Sequence, residues 1–130
     1  MLDHVGIAVS DYDASIRFYS AALRPLGYRL VLDYRDEGPY AGFSDDLHTT
    51  DAQGADFWLY GNRVVQPDLH LCFRAQDREA VDAFHAAALS AGGSDNGTPG
   101  LRPDYHASYY AAFVHDLDGH NIEAVCHAPA

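Results

Sequence analysis

The sequence repeats itself after 66 residues. Residues 4–27 align with residues 70–93 at 8 identical positions of 24, and His4, Asp11, Phe18 and Gly27 each meet an identical residue in register. Such a match predicts that one structural unit occurs twice. We therefore expect the 130 residues to form a single domain, 1–130, made of two modules, at about 1–65 and 69–130.

Both halves predict the same order of elements. An apolar strand (4–9 and 70–75) precedes a helix (about 11–26 and 77–91), with Ser10 as the predicted N-cap of the first. Strand-like segments follow at about 28–34, 40–43 and 56–60, and at 108–115 and 121–126, with a short one near 101–105. Residues 44–55 and 94–107 are interpreted as polar loops. The sequence therefore predicts an α+β fold of two βαβββ modules.

Composition excludes several classes of partner. The formal net charge is −11, and all 8 basic residues are arginines. Nucleic acid and anionic membranes require clustered basic residues, so neither is an expected partner. Cys72 and Cys126 lie in apolar runs, which indicates buried, reduced thiols. With no signal-peptide pattern and no apolar run of about 18 residues, we expect a cytoplasmic protein.

Three residues are candidate metal ligands. Strand alternation places His4, His70 and Glu123 on the less apolar face of their strands. Each alone is typical of a structural or solvated residue, but the repeat brings the two histidines toward a common centre. Two imidazoles and a carboxylate suit Fe(II), Zn(II), Mn(II) or Ni(II) and leave coordination positions open.

Other candidates lie in residues 101–110 and in the first module. His106 is a candidate general acid or base, and Arg102 with Tyr109 or Tyr110 could contact substrate. The alternative is that the tyrosines fill a half-wet sheet face. Trp58 suits either a pocket wall or the core.

The pattern resembles the vicinal oxygen chelate superfamily, which includes glyoxalase I, extradiol dioxygenases and bleomycin-resistance proteins. The residues that carry the resemblance are 3–11 (DHVGIAVSD), 18–19 (FY), His70 and 112–123 (AFVHDLDGHNIE). The resemblance implies paired βαβββ modules around a cleft, with a divalent metal held by His4 of one module and by His70 and Glu123 of the other. It also implies a homodimer, which fits the sheet edges that one small module pair leaves exposed.

The chain departs from these relatives at informative positions. The fourth ligand of glyoxalase I falls on Phe57 or, in an alternative alignment, on Trp58, with Asp56 adjacent. The glutathione-binding arginine is replaced by Ala8, whereas the repeat-related Arg74 could hold an anionic substrate or form a surface ion pair. The tyrosine of extradiol dioxygenases is replaced by Phe113, although His106 lies at the position of their catalytic histidine.

Three hypotheses follow. The first is a metal-dependent lyase or isomerase, with Glu123 or His106 as the proton-transferring group. The second is a metal-dependent dioxygenase that uses the three ligands as a facial triad. The third is a metal-free protein that sequesters a drug or metabolite in the same cleft.

Overall fold

The computed structural model describes residues 1–45 and 54–130, and it contains two four-stranded sheets with a helix on each. The predicted α+β architecture of paired modules is confirmed. The elements, in chain order, are β1 (Val5–Ala8), α1 (Tyr12–Ala22), β2 (Tyr28–Tyr34), β3 (Tyr40–Asp45), β4 (Phe57–Tyr60), β5 (His70–Arg74), α2 (Arg78–Ser90), β6 (Ser94–Leu101), β7 (Tyr110–His115) and β8 (Asn121–Cys126).

The two sheets have the same topology. Their strand orders are β1-β4-β3-β2 and β5-β8-β7-β6, and the first pair in each is parallel while the others are antiparallel. Gly6 pairs with Trp58 in the first sheet, and its repeat partner Cys72 pairs with Glu123 in the second. The register therefore assigns Trp58, not Phe57, as the counterpart of Glu123.

Both helices begin at an aspartate. The carboxylate of Asp11 accepts a hydrogen bond from the Ala14 amide at 3.0 Å, and that of Asp77 accepts from the Ala80 amide at 2.8 Å. The predicted N-cap Ser10 is wrong, because Asp11 is the residue whose side chain satisfies a free amide of the first turn. The first helix also ends earlier than predicted, and a 3₁₀ turn containing Pro25 (Arg24–Leu26) follows it.

The predicted loop at 94–107 is wrong over its first half. Ser94–Leu101 forms the edge strand β6, which pairs with β7 through two register shifts. Its glycines and proline obscured the strand pattern, since such residues belong on edges and at bulges. In the other predicted loop, β3 continues through Asp45, and residues 46–53 lie outside the described residues.

A single hydrophobic core joins the modules. The Phe73 ring of β5 packs edge-on against Phe57 at 5.3 Å and against Tyr28 at 5.5 Å, and both partners belong to the first module. Polar contacts add to this packing. The Tyr19 hydroxyl on α1 donates to the buried carboxylate of Asp116 at 2.5 Å, and the Ser10 amide donates to Asp118.

In each module the helix packs on one face of the sheet and leaves the other face open. On β1, Ile7 is buried in the core while Gly6 is exposed; on β5, Phe73 is buried while Cys72 is exposed. This alternation positions the candidate residues His70, Cys72, Glu123 and Trp58 on faces that the helices do not cover. In the described part of the chain, no helix has the length and apolar character needed to cross a bilayer.

Candidate functional site

Two of the predicted ligands meet on the open face of the second sheet. His70 begins β5 and Glu123 lies on the neighbouring strand β8, opposite Cys72. The distance from His70 Nε2 to Glu123 Oε2 is 3.1 Å. Glu123 is only 3% exposed, whereas the His70 side chain is 46% exposed. A buried carboxylate thus lies behind an accessible imidazole.

The backbone fixes the tautomer of His70. Its Nδ1 lies 3.0 Å from the carbonyl oxygen of Asn121, which can only accept, so Nδ1 carries the hydrogen. In the neutral ring Nε2 then presents a lone pair to the Glu123 carboxylate. Two electron-pair donors at this distance are stabilised by a proton or a cation between them. The Nδ1–H to carbonyl bond is also the orientation that metal-binding histidines use.

Tyr109 holds the second oxygen of Glu123. Its hydroxyl donates to Glu123 Oε1 at 2.6 Å. Desolvation, and then this bond and the charge of Glu123, raise the pKa of Tyr109, so the phenol remains a donor. Sequence reasoning left Tyr109 and Tyr110 undecided. The structure separates them: Tyr109 precedes β7 and bonds Glu123, whereas Tyr110 begins β7 and its hydroxyl donates to Asp82 on α2 at 2.7 Å.

Cys72 is exposed on this face and is not the buried thiol that the sequence predicted, whereas Cys126 is buried. The prediction of a buried thiol rested on the apolar residues next to Cys72 in the sequence, but strand alternation points its side chain away from the core. Desolvation by its surroundings, and then the negative charge of Glu123, raise the pKa of Cys72 to about 12.

The candidate acid–base residue His106 lies beside Tyr109. The two rings meet edge-on at 5.3 Å, and His127 packs against both. The Ser108 amide donates to His106 Nδ1, so Nε2 of the neutral ring donates to His127 Nδ1 at 2.8 Å. His127 is 21 residues away in the sequence, and only the fold brings it next to His106.

His4 lies apart from this cluster. It is exposed, its Nδ1 lies 2.7 Å from Asp3 Oδ1, and it borders a cavity of about 550 Å³ on the open face of the first sheet. Within the described ranges, 1–45 and 54–130, no three His, Cys, Asp or Glu side chains form a group that could hold a metal. One chain therefore brings together His70 and Glu123 but not His4, and the metal-ligand assignment stays a prediction.

Aromatic side chains line the cavity beside His4. The ring centroids of Trp58 and Tyr40 lie 6.1 Å apart, and the guanidinium of Arg63 stacks 3.7 Å from the centre of the Tyr60 ring. A Cβ on Gly6 would lie 2.2 Å from Tyr60, so only glycine allows this ring to pack over β1. Trp58 is half-buried with one side in the cavity, as expected for a pocket wall.

Two further candidates, both arginines, have defined positions. Arg74 is exposed and lines a groove of about 910 Å³ together with His4 and Cys72, which come from different modules. Arg102 donates to the carbonyls of Gly100 and Thr98 and stacks over Phe113, so its guanidinium supports the irregular strand β6. Both substrate-contact assignments stay predictions.

Asp56 is the carboxylate next to the position of the fourth ligand of glyoxalase I. One carboxylate oxygen accepts from the Tyr28 hydroxyl at 3.0 Å, and the other is buried without a hydrogen-bond partner among the described residues. Because Asp56 precedes β4, it lies beside the groove between the modules rather than on the open face with Trp58.

The fold and these residues define a class of protein: paired βαβββ modules whose open sheet faces carry polar, metal-compatible and aromatic side chains. The chain belongs to the Glyoxalase/Bleomycin resistance protein/Dioxygenase superfamily, whose family model matches residues 1–124. The resemblance inferred from the sequence is thereby confirmed. A comparison with curated protein sequences gives no match.

Solved structures share this fold. A glyoxalase/bleomycin resistance protein from Albidiferax ferrireducens T118 is 27% identical with a TM-score of 0.76, covering 97% of this chain and 98% of that one. TioX from Micromonospora sp. ML1 is 20% identical with a TM-score of 0.66, covering 98% and 99%. A glyoxalase I mutant from Zea mays is 23% identical with a TM-score of 0.68, covering 95% of this chain but 46% of its own.

Proposed function

We propose that this protein is a metal-dependent lyase or isomerase that binds a small substrate through two vicinal oxygens. The observation that carries the proposal is the pair formed by His70 and Glu123, in which Nε2 lies 3.1 Å from a buried carboxylate oxygen and Nδ1 lies 3.0 Å from a backbone carbonyl. One imidazole and one carboxylate fit Zn(II), Ni(II), Fe(II) or Mn(II). A third ligand is needed to hold such an ion stably.

We assign the third ligand to His4 of a second copy. His4 lies on the open face of the first module and is exposed, while His70 and Glu123 lie on the open face of the second. The edge strands β1 and β5 border a groove in one chain. A symmetric dimer that places one module of each copy face to face would unite the three side chains twice.

Each residue has a defined part in this proposal. A bound divalent ion would act as a Lewis acid that stabilises an oxyanion on the substrate. Glu123 is held by Tyr109 and His70, so we assign proton transfer to the exposed His106. In this step Nδ1 of His106 would release the Ser108 amide and take the substrate proton, and Nε2 would pass its own proton to His127, so that His106 stays neutral. Trp58 and Tyr60 would form the apolar wall for the substrate.

Metal analysis tests the site. Purified protein should contain one divalent ion per chain, and His4→Ala and Glu123→Gln should each lose it. Glu79→Gln, which removes an exposed carboxylate from the first turn of α2, is the matched control and should retain the metal. Wild-type protein that binds no divalent ion after incubation with Zn(II), Ni(II), Fe(II) and Mn(II) would refute the proposal.

A mixing experiment tests whether the site is shared. The inactive His4→Ala and Glu123→Gln chains are mixed, unfolded and refolded together. About half of the dimers should then contain one chain of each variant, and one of the two sites in each such heterodimer receives both native residues. About a quarter of all sites should therefore be restored. Metal content and anaerobic isomerisation of a 2-oxoaldehyde–thiol adduct measure the recovery. No recovery of metal would show that each site is built within one chain.

A metal-free sequestering protein is the second candidate function. The aromatic cavity of about 550 Å³ bordered by Trp58 supports it, because stacking can hold a planar ligand without a metal. Quenching of Trp58 fluorescence by aromatic drugs in EDTA-treated protein, unchanged in Glu123→Gln, would favour this function. Oxygen uptake with catechols would instead favour the dioxygenase hypothesis.

A further inference from the structure

We infer that the buried His120 belongs to a second binding site, which takes a small carboxylate with an apolar body. His120 precedes β8 and is only 2% exposed, yet it lines a cavity of about 350 Å³. Ala8 of the first module lines the same cavity, which therefore lies at the boundary between the modules. Its described walls include neither His70 nor Glu123, so this site is separate from the one proposed above.

The Asp116 carboxylate fixes the orientation and the tautomer of His120. Its Oδ1 accepts from the amides of Asp118 and His120, both at 2.9 Å, and its Oδ2 accepts from the Tyr19 hydroxyl at 2.5 Å. A carboxylate that receives three donors acts as an acceptor toward Nδ1 of His120, which lies 2.7 Å from Oδ2. Nδ1 therefore carries a hydrogen, and Nε2 is the ring nitrogen that is left for a ligand.

That second ring nitrogen is unpaired and open to the cavity. Nε2 of His120 has no hydrogen-bond partner within residues 1–45 and 54–130. In this part of the chain, the unpaired side-chain atoms that are sealed from solvent are Asp56 Oδ1 and Arg78 Nε, so Nε2 must reach the cavity that His120 lines. A nearly buried imidazole with one nitrogen unsatisfied favours a ligand that brings a hydrogen to it.

Charge favours an anion in this cavity. Arg63 lines it, with its guanidinium 3.7 Å from the centre of the Tyr60 ring, and the described walls contain no Asp or Glu although the chain has a formal net charge of −11. A carboxylic acid can share its proton with His120 Nε2 and present a negative oxygen to the guanidinium, whereas an alcohol or an amide brings no charge. The wall also includes Val64 and Leu69, which suit a short apolar body.

Benzoate is the probe, and benzamide is its uncharged counterpart of similar shape. Full-length wild-type protein is titrated with each while proton–nitrogen correlation NMR follows the ring nitrogens of His120. Benzoate should move the Nε2 resonance from the position of an unprotonated nitrogen toward that of a protonated one, and benzamide should bind at least about 10-fold more weakly. A His120 spectrum that benzoate leaves unchanged overturns the inference, as does equal binding of benzamide.

Two variants locate the ligand. Arg63→Gln should weaken benzoate binding by about 10- to 100-fold, because a charge-assisted contact is lost, whereas Arg17→Gln, at an exposed position of α1, should bind like wild type. Arg63 also lines the cavity beside Trp58, but Ala8 lines only the one with His120. Ala8→Leu should therefore abolish binding while the circular dichroism spectrum stays that of wild type. Wild-type affinity for benzoate in either Arg63→Gln or Ala8→Leu overturns the inference.

Discussion

At the scale of single residues, the opposite directions of neighbouring side chains decide which of them reach the site. Tyr109, just before β7, bonds Glu123, whereas Tyr110, the first residue of β7, bonds Asp82 on α2. Cys72 and Phe73 differ in the same way, since one is exposed and the other belongs to the core. A register shift of one residue would exchange these roles.

Cys72 should react slowly with thiol reagents until its charged neighbour is removed. Desolvation and the Glu123 carboxylate raise the pKa of Cys72 to about 12, so the neutral thiol predominates at pH 8. Glu123→Gln removes a negative charge, lowers this pKa, and should increase the rate of alkylation by iodoacetamide at pH 8. Mass spectrometry of the Cys72 peptide measures the rate.

Glu79→Gln provides the control for charge alone, because Glu79 is an exposed residue of α2. Its alkylation rate at Cys72 should equal that of wild type. If Glu123→Gln leaves the rate unchanged, the carboxylate does not influence the thiol as described.

At the scale of elements, the repeat is clearest at the N-termini of the two helices. Asp11 and Asp77 occupy equivalent positions, and each carboxylate accepts from an amide three residues later. The C-terminal ends of the two helices differ more. The first helix is followed by a 3₁₀ turn that ends at Gly27, which has the left-handed conformation at φ 87°, whereas the second helix ends directly at Ala91 and Gly92.

Asp77→Ala should destabilise the protein by about 0.5–2 kcal/mol, because the Ala80 amide loses its acceptor at the start of α2. Urea denaturation followed by far-UV circular dichroism measures the change. Glu79→Ala, which changes an exposed residue of the same turn, should change stability by less. An Asp77→Ala midpoint equal to that of wild type would contradict the capping role.

At the scale of the whole molecule, the core makes the two modules one unit of folding. Phe73 of the second module packs against Tyr28 and Phe57 of the first, and Tyr19 bonds Asp116 across the same boundary. Neither module buries its helix face fully without the other. A perturbation in one module should therefore be sensed in the other.

Phe73→Ala should lower the stability of both modules together, by about 3–5 kcal/mol, because a large ring is removed from a shared core. Trp58, the only tryptophan, lies in the first module, and its fluorescence reports the unfolding of that module. Its transition should shift to lower urea and coincide with the circular dichroism transition. A Trp58 transition that stays at the wild-type midpoint would show that the modules unfold separately.

The repeat, the βαβββ order, the family resemblance and the open-face placement of His70 could be predicted from the sequence, because repeated motifs and period-two alternation are local properties of the chain. The contacts between distant segments could not be predicted: Tyr109 on Glu123, His127 on His106, and Trp58 as the counterpart of Glu123. Strand register and the packing of loops set these contacts, and both depend on partners far away in the chain. The irregular strand β6 escaped sequence reasoning for the same reason, since its pairing with β7, rather than its own composition, makes it a strand.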